Sequence, residues 1–345
     1  MKVLFGTFSA ATVLGGGVKV QVDALARELE RLGVIVERFN PWKDYRLSDF
    51  DLFHLFSANV GTFHLGRAMK GQGIKLVVSP VFFSRHSPRR VATMIAVAKR
   101  FRKKGGFWTE HLFCKELCNM ADLVLPNTRT EADLIIQAFS IPGDKVSIIP
   151  NGVDERFYYA KPDEFIRQYG IKNFVLYAGH IGLGRKNVLP FLKVMKELNL
   201  PTVLIGRVID NEYGNRCRKI IRQSPNITHI PVLPPNSPLL GSAYAACDTI
   251  VLPSFYETPG LAALEAGLAG AKVCITKFGG TVEYFGQYAN YLDPYSESSI
   301  KESVNEAVTK PKSPELREHI RTHFLWGEAG TRLLQAYHLL TAGNI

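Results

Sequence analysis

The sequence predicts an α/β protein made of two doubly wound, Rossmann-like domains. Three observations carry this expectation. Short apolar runs alternate with helix-length amphipathic segments from end to end, and strand–helix alternation builds parallel sheets covered by helices on both faces. The alternation stops at a polar and aromatic break, 151–170, and then restarts. The chain has 345 residues, too many for one core and suited to two domains of roughly 150–180 residues each.

In the first half, the runs 2–5, 34–38, 52–55, 75–79, 123–125 and 146–149 read as strands. Between the first two lies a helix over 20–32, with Val22, Leu25, Leu29 and Leu32 on one face and Gly33 as its stop. In the second half the strands are 174–177, 202–205, 227–230, 249–252 and 273–276, with helices centred near 192, 218, 242, 264 and 302. The expected Rossmann-like domains are 1–160 and 161–325. A terminal helix in 326–345, around 328–340, is expected to pack back on the first domain. Open α/β sheets bind ligands at the carboxyl ends of their strands, so two such domains would face each other across a cleft.

Composition narrows the class. No tract is long and apolar enough to span a bilayer. The first 18 residues, though apolar, are broken by Gly6, Thr7, Ser9 and a triple glycine, and read as a buried strand and a glycine loop. The five cysteines show no framework spacing, which suits a reducing, cytoplasmic setting. Cys114 and Cys118, one helical turn apart, read as helix packing because no second pair stands near to complete a metal site. A net charge of +11 implies anionic partners: nucleotide phosphates, an anionic membrane or nucleic acid.

Two glycine loops precede helices. Gly15-Gly16-Gly17 follows the first strand, but its spacing is not that of a dinucleotide fingerprint. The second runs Gly179-His180-Ile181-Gly182-Leu183-Gly184-Arg185-Lys186-Asn187 after a strand. Its two cations suit a diphosphate, the Arg by a forked contact and the Lys as a point charge. Cations fixed on a departing diphosphate favour the transition state over the ground state.

The sharpest motif is Glu257-Thr258-Pro259-Gly260-Leu261-Ala262-Ala263-Leu264-Glu265, after the strand 249–252. Pro259 suits the first turn of a helix. Glu257 then falls in the loop before that helix and Glu265 inside it, so both carboxylates can reach one ligand across the helix start. Carboxylates suit vicinal hydroxyls because each accepts several hydrogen bonds. Glu265 is a lone acid in an apolar helix and calls for a buried partner.

These motifs resemble family 4 of the retaining GT-B glycosyltransferases, the glycosyl transferases of group 1. The resemblance rests on Glu257 and Glu265 eight apart with Pro259-Gly260-Leu261 between them, on Gly16-Gly17, on Ile149-Pro150-Asn151-Gly152-Val153-Asp154, on Gly184-Arg185-Lys186-Asn187 and on Gly279-Gly280-Thr281-Val282-Glu283. It implies a GT-B fold and transfer of a hexose from a nucleoside-diphosphate sugar to a hydroxyl acceptor, in polysaccharide, lipopolysaccharide or glycolipid synthesis. A UDP-sugar, UDP-glucose first, is the favoured donor. It further implies that Glu257 contacts the donor sugar and Glu265 the ribose. Thr258, Pro259, Gly260 and Leu261 would bind sugar and phosphates, Arg185 and Lys186 the diphosphate, and Gly17 with Gly16 would approach it from the other domain. Val232 and Leu233 would touch the base, and Arg207 and His180 would face the donor. No metal or cofactor is implied; the Asp49-Phe50-Asp51 run stands at a strand start. Two departures stand out. His180 replaces an Arg frequent after that Gly, and the first-domain His is missing from Val78-Ser79-Pro80-Val81-Phe82-Phe83, leaving His54 or His86 as acceptor-side candidates beside a purely structural role.

Residues 89–104 hold seven Lys or Arg, no acid, and interleaved apolar residues, followed by Phe107-Trp108. Such a helix can lie on an anionic membrane, here the inner face of the plasma membrane, or present a plain solvated face. Stacking aromatics are too sparse for nucleic acid. Two other readings of the site stay open: a sugar-nucleotide epimerase of the same architecture, and an idle sugar-nucleotide-binding protein.

Overall fold

The structure is a computed structural model. It describes residues 1–105 and 108–343 and, within them, every side chain except those of Leu14 and residues 102–105. The chain divides into two compact units, Met1–Gly152 with Trp326–Ile345, and Val153–Leu325.

In the first unit, strands β1 (Lys2–Gly6), β2 (Ile35–Arg38), β3 (Leu52–Phe56), β4 (Leu76–Ser79) and β5 (Leu123–Val124) form a parallel sheet in the order β2-β1-β3-β4-β5. Strands β3 and β4 are buried along their whole length, as expected of apolar runs covered on both faces. The run 146–149 is not a strand. Val146 makes a single bridge to Val124, because β5 is itself only two residues long and meets Pro126, which leaves little ladder to extend.

The helix Trp326–Ala342 packs on the helix Gly17–Arg31 of the same unit. Gly330 makes the close approach possible: a Cβ there would stand 2.6 Å from the Glu28 Cβ. Tyr337, fully buried on that helix, reaches β3 and brings its hydroxyl to 2.5 Å from His54 Nδ1.

In the second unit, β6 (Val175–Ala178), β7 (Thr202–Ile205), β8 (Ile227–Ile230), β9 (Thr249–Leu252), β10 (Lys272–Thr276) and β11 (Asn290–Leu292) form a parallel sheet in the order β11-β10-β9-β6-β7-β8. The edge strand β11 has no apolar run long enough to announce it. Strand order reverses between β6 and β9, which pair directly. Open α/β sheets bind their ligands outside the carboxyl ends of the strands at such a switch point. The loop after β6 carries Arg185 and Lys186, and the loop after β9 carries Glu257.

Candidate functional site

Glu257 sits in the loop between β9 and the helix Leu261–Leu268 and is 6% exposed. Its backbone is held by the neighbouring loop after β10: Glu257 N donates to Phe278 O and Gly280 N donates to Glu257 O. Gly279 permits this contact. Its φ is +100° and a Cβ would fall 2.0 Å from the Glu257 carbonyl oxygen, so no other residue fits without moving the loop.

Two donors and a second cation converge on one carboxylate oxygen. Lys186 Nζ lies 2.6 Å and Arg185 Nη1 4.0 Å from Glu257 Oε1. The Ser254 hydroxyl donates to the same oxygen at 2.6 Å. Oε2 has no partner among the described residues, so it is left to accept from a ligand. Burial pushes the Glu257 carboxyl up, but Lys186, Arg185 and the hydrogen bonds from Lys186 and Ser254 outweigh it and hold the group below the usual carboxylate value.

The cations are fixed by the fold. Arg185 and Lys186 occupy a single 3-10 turn, Gly184–Lys186, and Asn187 follows in the left-handed region at φ 53° as cap of the helix Val188–Leu198. Buried Asn187 donates its side-chain amide to Pro253 O and Pro294 O at 3.2 and 2.7 Å, tying the loop after β6 to the loop after β9. Arg185 Nη1 donates to Tyr256 O at 2.9 Å, its guanidinium lies 4.9 Å from the centre of the Tyr256 ring, and Phe255 N donates to Arg185 O. The two loops form one hydrogen-bonded unit.

Glu265 does have a buried partner. The Tyr244 hydroxyl donates to its Oε2 at 2.8 Å. Burial pushes the Glu265 pKa up to about 7, against the pull of Tyr244 and Arg156. Pro259 departs from expectation. It precedes the helix rather than opening it, after a cis Thr258–Pro259 bond, and Gly260 at φ 90° is the cap. The helix therefore begins at Leu261, leaving Thr258 to Gly260 as a loop beside Glu257.

His180 is half-buried, and burial with Lys186 and Arg207 lowers its pKa, favouring the neutral ring. Gly206, at φ 150°, lets the loop after β7 touch the loop after β6: a Cβ there would meet Gly179 O at 2.0 Å. Arg207 is exposed just beyond it, and Val232 and Leu233 follow β8, with Val232 60% exposed. Glu257, Arg185, Lys186, His180, Arg207, Val232, Leu233, Glu265 and the Thr258–Leu261 segment thus all stand on the second unit, most of them at the carboxyl edge of one sheet.

In the first unit, Gly16 caps the helix that begins at Gly17 and is exposed with open space around it. His86 lies in the loop after β4, near His111, whose pKa falls through burial first and His86 second. His111 escaped the sequence reading, because 25 residues separate it from His86 and no periodicity links them. His54 must be withdrawn as an acceptor-side residue. It is 0% exposed, with Nδ1 to Tyr337 and Nε2 to the Ser79 hydroxyl at 2.9 Å, and burial drives its pKa down to about 3. It fastens the terminal helix to the sheet. Asp51 accepts from the Lys2 backbone at the amino end of β1, away from the ligand-binding edge. Among the described residues no group of three or more His, Cys, Asp or Glu is placed to hold a metal. Cys114 and Cys118 are both buried on the helix Glu110–Met120.

Two family models match in succession, Glycosyltransferase Family 4 over residues 35–157 and Glycosyl transferases group 1 over residues 162–323. The chain belongs to the GT-B glycosyltransferases of group 1. It is similar to the D-inositol 3-phosphate glycosyltransferases of Pseudarthrobacter chlorophenolicus, at 29% identity over 46% of this chain and 40% of that one, and of Stackebrandtia nassauensis, at 25% over 63% and 54%. The matched segments thus span about half or less of these relatives' own length. Among solved structures, sucrose-phosphate synthase from Thermosynechococcus elongatus covers all of this chain and all of its own at a TM-score of 0.78 and 17% identity. Anabaena HepE in complex with UDP and glucose covers 97% and 99% at 0.69 and 17%. At these identities the structural likeness establishes the fold.

Proposed function

We propose that this protein is a retaining, metal-independent glycosyltransferase that moves a hexose from a UDP-sugar, UDP-glucose first, to a hydroxyl acceptor of polysaccharide, lipopolysaccharide or glycolipid synthesis. The observation that carries the reading is the convergence of Lys186, Arg185 and Ser254 on Glu257 Oε1, with Oε2 left open, at the switch point of a doubly wound sheet. An ionised, rigidly aimed carboxylate oxygen is suited to accept from sugar hydroxyls. The cations that hold it are suited to take the charge of a departing diphosphate, a role that grows as the bond to the sugar breaks. Glu265, set by Tyr244, would receive the ribose hydroxyls, and the backbone after β8 at Val232 and Leu233 would receive the base. Anabaena HepE, whose fold this chain shares, was captured with UDP-glucose, which favours uridine as the base.

The diphosphate would leave from the same face on which the acceptor hydroxyl attacks, so that the anomeric configuration is kept. The acceptor surface would include the helix Pro88–Gly105. Its described part exposes Arg89, Arg90, Lys99 and Arg100 beside Met94, Val97 and Phe101, while Val91, Ile95 and Ala98 are buried. The side chains of Arg102, Lys103 and Lys104, and Phe107, lie outside the described residues. Cations beside exposed apolar groups suit peripheral contact with an anionic membrane. No helix among the described residues is long and apolar enough to cross one.

The test is donor turnover with a panel of nucleotide sugars, by wild type, Glu257→Ala and Lys186→Ala, with and without a chelator. Release of UDP by the wild type alone, insensitive to the chelator, supports the reading, and NMR of the glycoside reports retention. Equal background turnover by all three proteins sinks it. Epimerised nucleotide sugar formed without an acceptor would replace it with isomerase chemistry.

A further inference from the structure

The second unit carries a cluster of cations of which the donor reading takes up only Arg207. Arg207 follows β7, Arg218, Lys219 and Arg222 stand on the helix Glu212–Arg222, and His229 comes from β8. Two cavities of about 680 and 420 Å³ share Arg207, Val208, Arg218 and Arg222 as common walls. Arg218 is fixed between them: Nη1 lies 3.2 Å from Asp210 Oδ1 and also donates to Asn215, and Nη2 donates to Val208 O at 3.3 Å. Arg207, Lys219 and Arg222 have no side-chain partner among the described residues. His229 Nε2 faces Gly206 O at 2.8 Å and so donates to it.

Four permanent cations thus meet one carboxylate, Asp210, which is 89% exposed and already engaged by Arg218. Like charges, three of them on one helix and one from the loop after β7, repel one another, and a concave surface concentrates their field. The walls offer many N–H donors and few acceptors, and two unengaged guanidinium forks match tetrahedral oxyanions in bidentate geometry. No Phe, Tyr or Trp lines either cavity, and the His229 ring is engaged by Gly206 O, which argues against single-stranded nucleic acid as the occupant. We propose that this cluster is a second anion site, distinct from Arg185 and Lys186, that binds a phosphate-bearing small molecule through Arg207, Arg218 and Arg222. It shares Arg207, and Val232 on the wall of the smaller cavity, with the donor reading, and the UDP arm of the test separates the two.

The test uses the full chain and inorganic pyrophosphate as probe, titrated calorimetrically with UDP absent and then saturating. Wild type should bind pyrophosphate in both conditions. Arg222→Ala should weaken that binding roughly tenfold or more, the scale of one charge-assisted contact, and Arg222→Lys, which keeps the charge but loses the fork, should fall between. Lys186→Ala, which removes a proposed diphosphate contact of the donor site, should keep the binding that the wild type shows with UDP saturating. Arg216→Ala removes the same charge from the same helix but lies off the cavity walls, and should leave affinity unchanged. Arg222 is exposed, and circular dichroism confirms that its variants fold. The proposal is overturned if pyrophosphate fails to bind, if UDP displaces it, if Lys186→Ala abolishes binding while Arg222→Ala does not, or if Arg216→Ala and Arg222→Ala weaken it equally. That last result would mean a diffuse surface field.

Discussion

Lys186 Nζ and Glu257 Oε1 stand 2.6 Å apart although 71 residues separate them in the chain. The pair is largely buried, with side-chain exposures of 18% and 8%. Removing one partner of such a pair leaves the other charged and unpaired, whereas neutralising both is often tolerated. Lys186→Ala is therefore expected to lower donor turnover roughly a hundredfold or more, as for loss of one donor to transition-state charge, and also to lower Tm. The double variant Lys186→Met with Glu257→Gln should recover much of the Tm and none of the turnover. Recovery of turnover would show that the pair serves only the fold.

Ser254, fully buried, donates to Glu257 Oε1 and is expected to aim the carboxylate. Because Glu257 titrates below the usual carboxylate range, the acid limb of kcat/KM for the donor should also lie below it. Ser254→Ala removes a bond to the ionised form, so the limb should move up in pH and kcat should fall. Ser254→Thr, which restores the hydroxyl, should move it back. A limb identical in all three proteins would assign Ser254 to packing alone.

Glu265 carries the opposite shift. Its folded pKa, about 7, lies above the ordinary carboxyl value of 4.5. The folded state holds the proton more tightly, so the associated stability is complete below about pH 4.5 and is lost as pH rises through 7. A shift of this size is worth on the order of 3 kcal/mol when the group is fully ionised. Glu265→Gln keeps an acceptor for Tyr244 and cannot ionise. Its Tm should equal that of the wild type near pH 4 and exceed it near pH 8, as scanning calorimetry would show. A constant difference across that range would contradict the burial argument.

Tyr337→Phe leaves His54 Nδ1 buried without its partner, at a cost of about 1–3 kcal/mol. Amide exchange in the helix Trp326–Ala342 should quicken, while the KM for the donor should not move. A changed donor KM would show that the terminal helix reaches the donor chemistry.

Much of this was legible beforehand. Apolar runs announced ten of the eleven strands, because a strand buried on both faces has to be apolar. The exception, β11, is three residues long and held by pairing with β10. The carboxylates and cations were legible as residue types after strands. Their division of labour was not. That Lys186 and Ser254 donate to Oε1, with Arg185 beside it, and leave Oε2 depends on Asn187 and Gly279 clamping loops distant in sequence. His54 carried its own signal: a lone histidine between Phe53 and Leu55 in a run buried throughout has no route to solvent, and the structural role left open for it in the sequence is the one found.

The terminal helix belongs to the unit that begins the chain, while the residues of the second unit are contiguous. Made from its amino end on a ribosome, the first unit therefore cannot finish. Its β3 histidine waits for Tyr337 while the whole of Val153–Leu325 is still being made. The second unit, self-contained in sequence, is free to fold first. Truncation at the carboxyl terminus should accordingly injure the amino-terminal domain and spare the neighbour to which the cut lies closer in sequence.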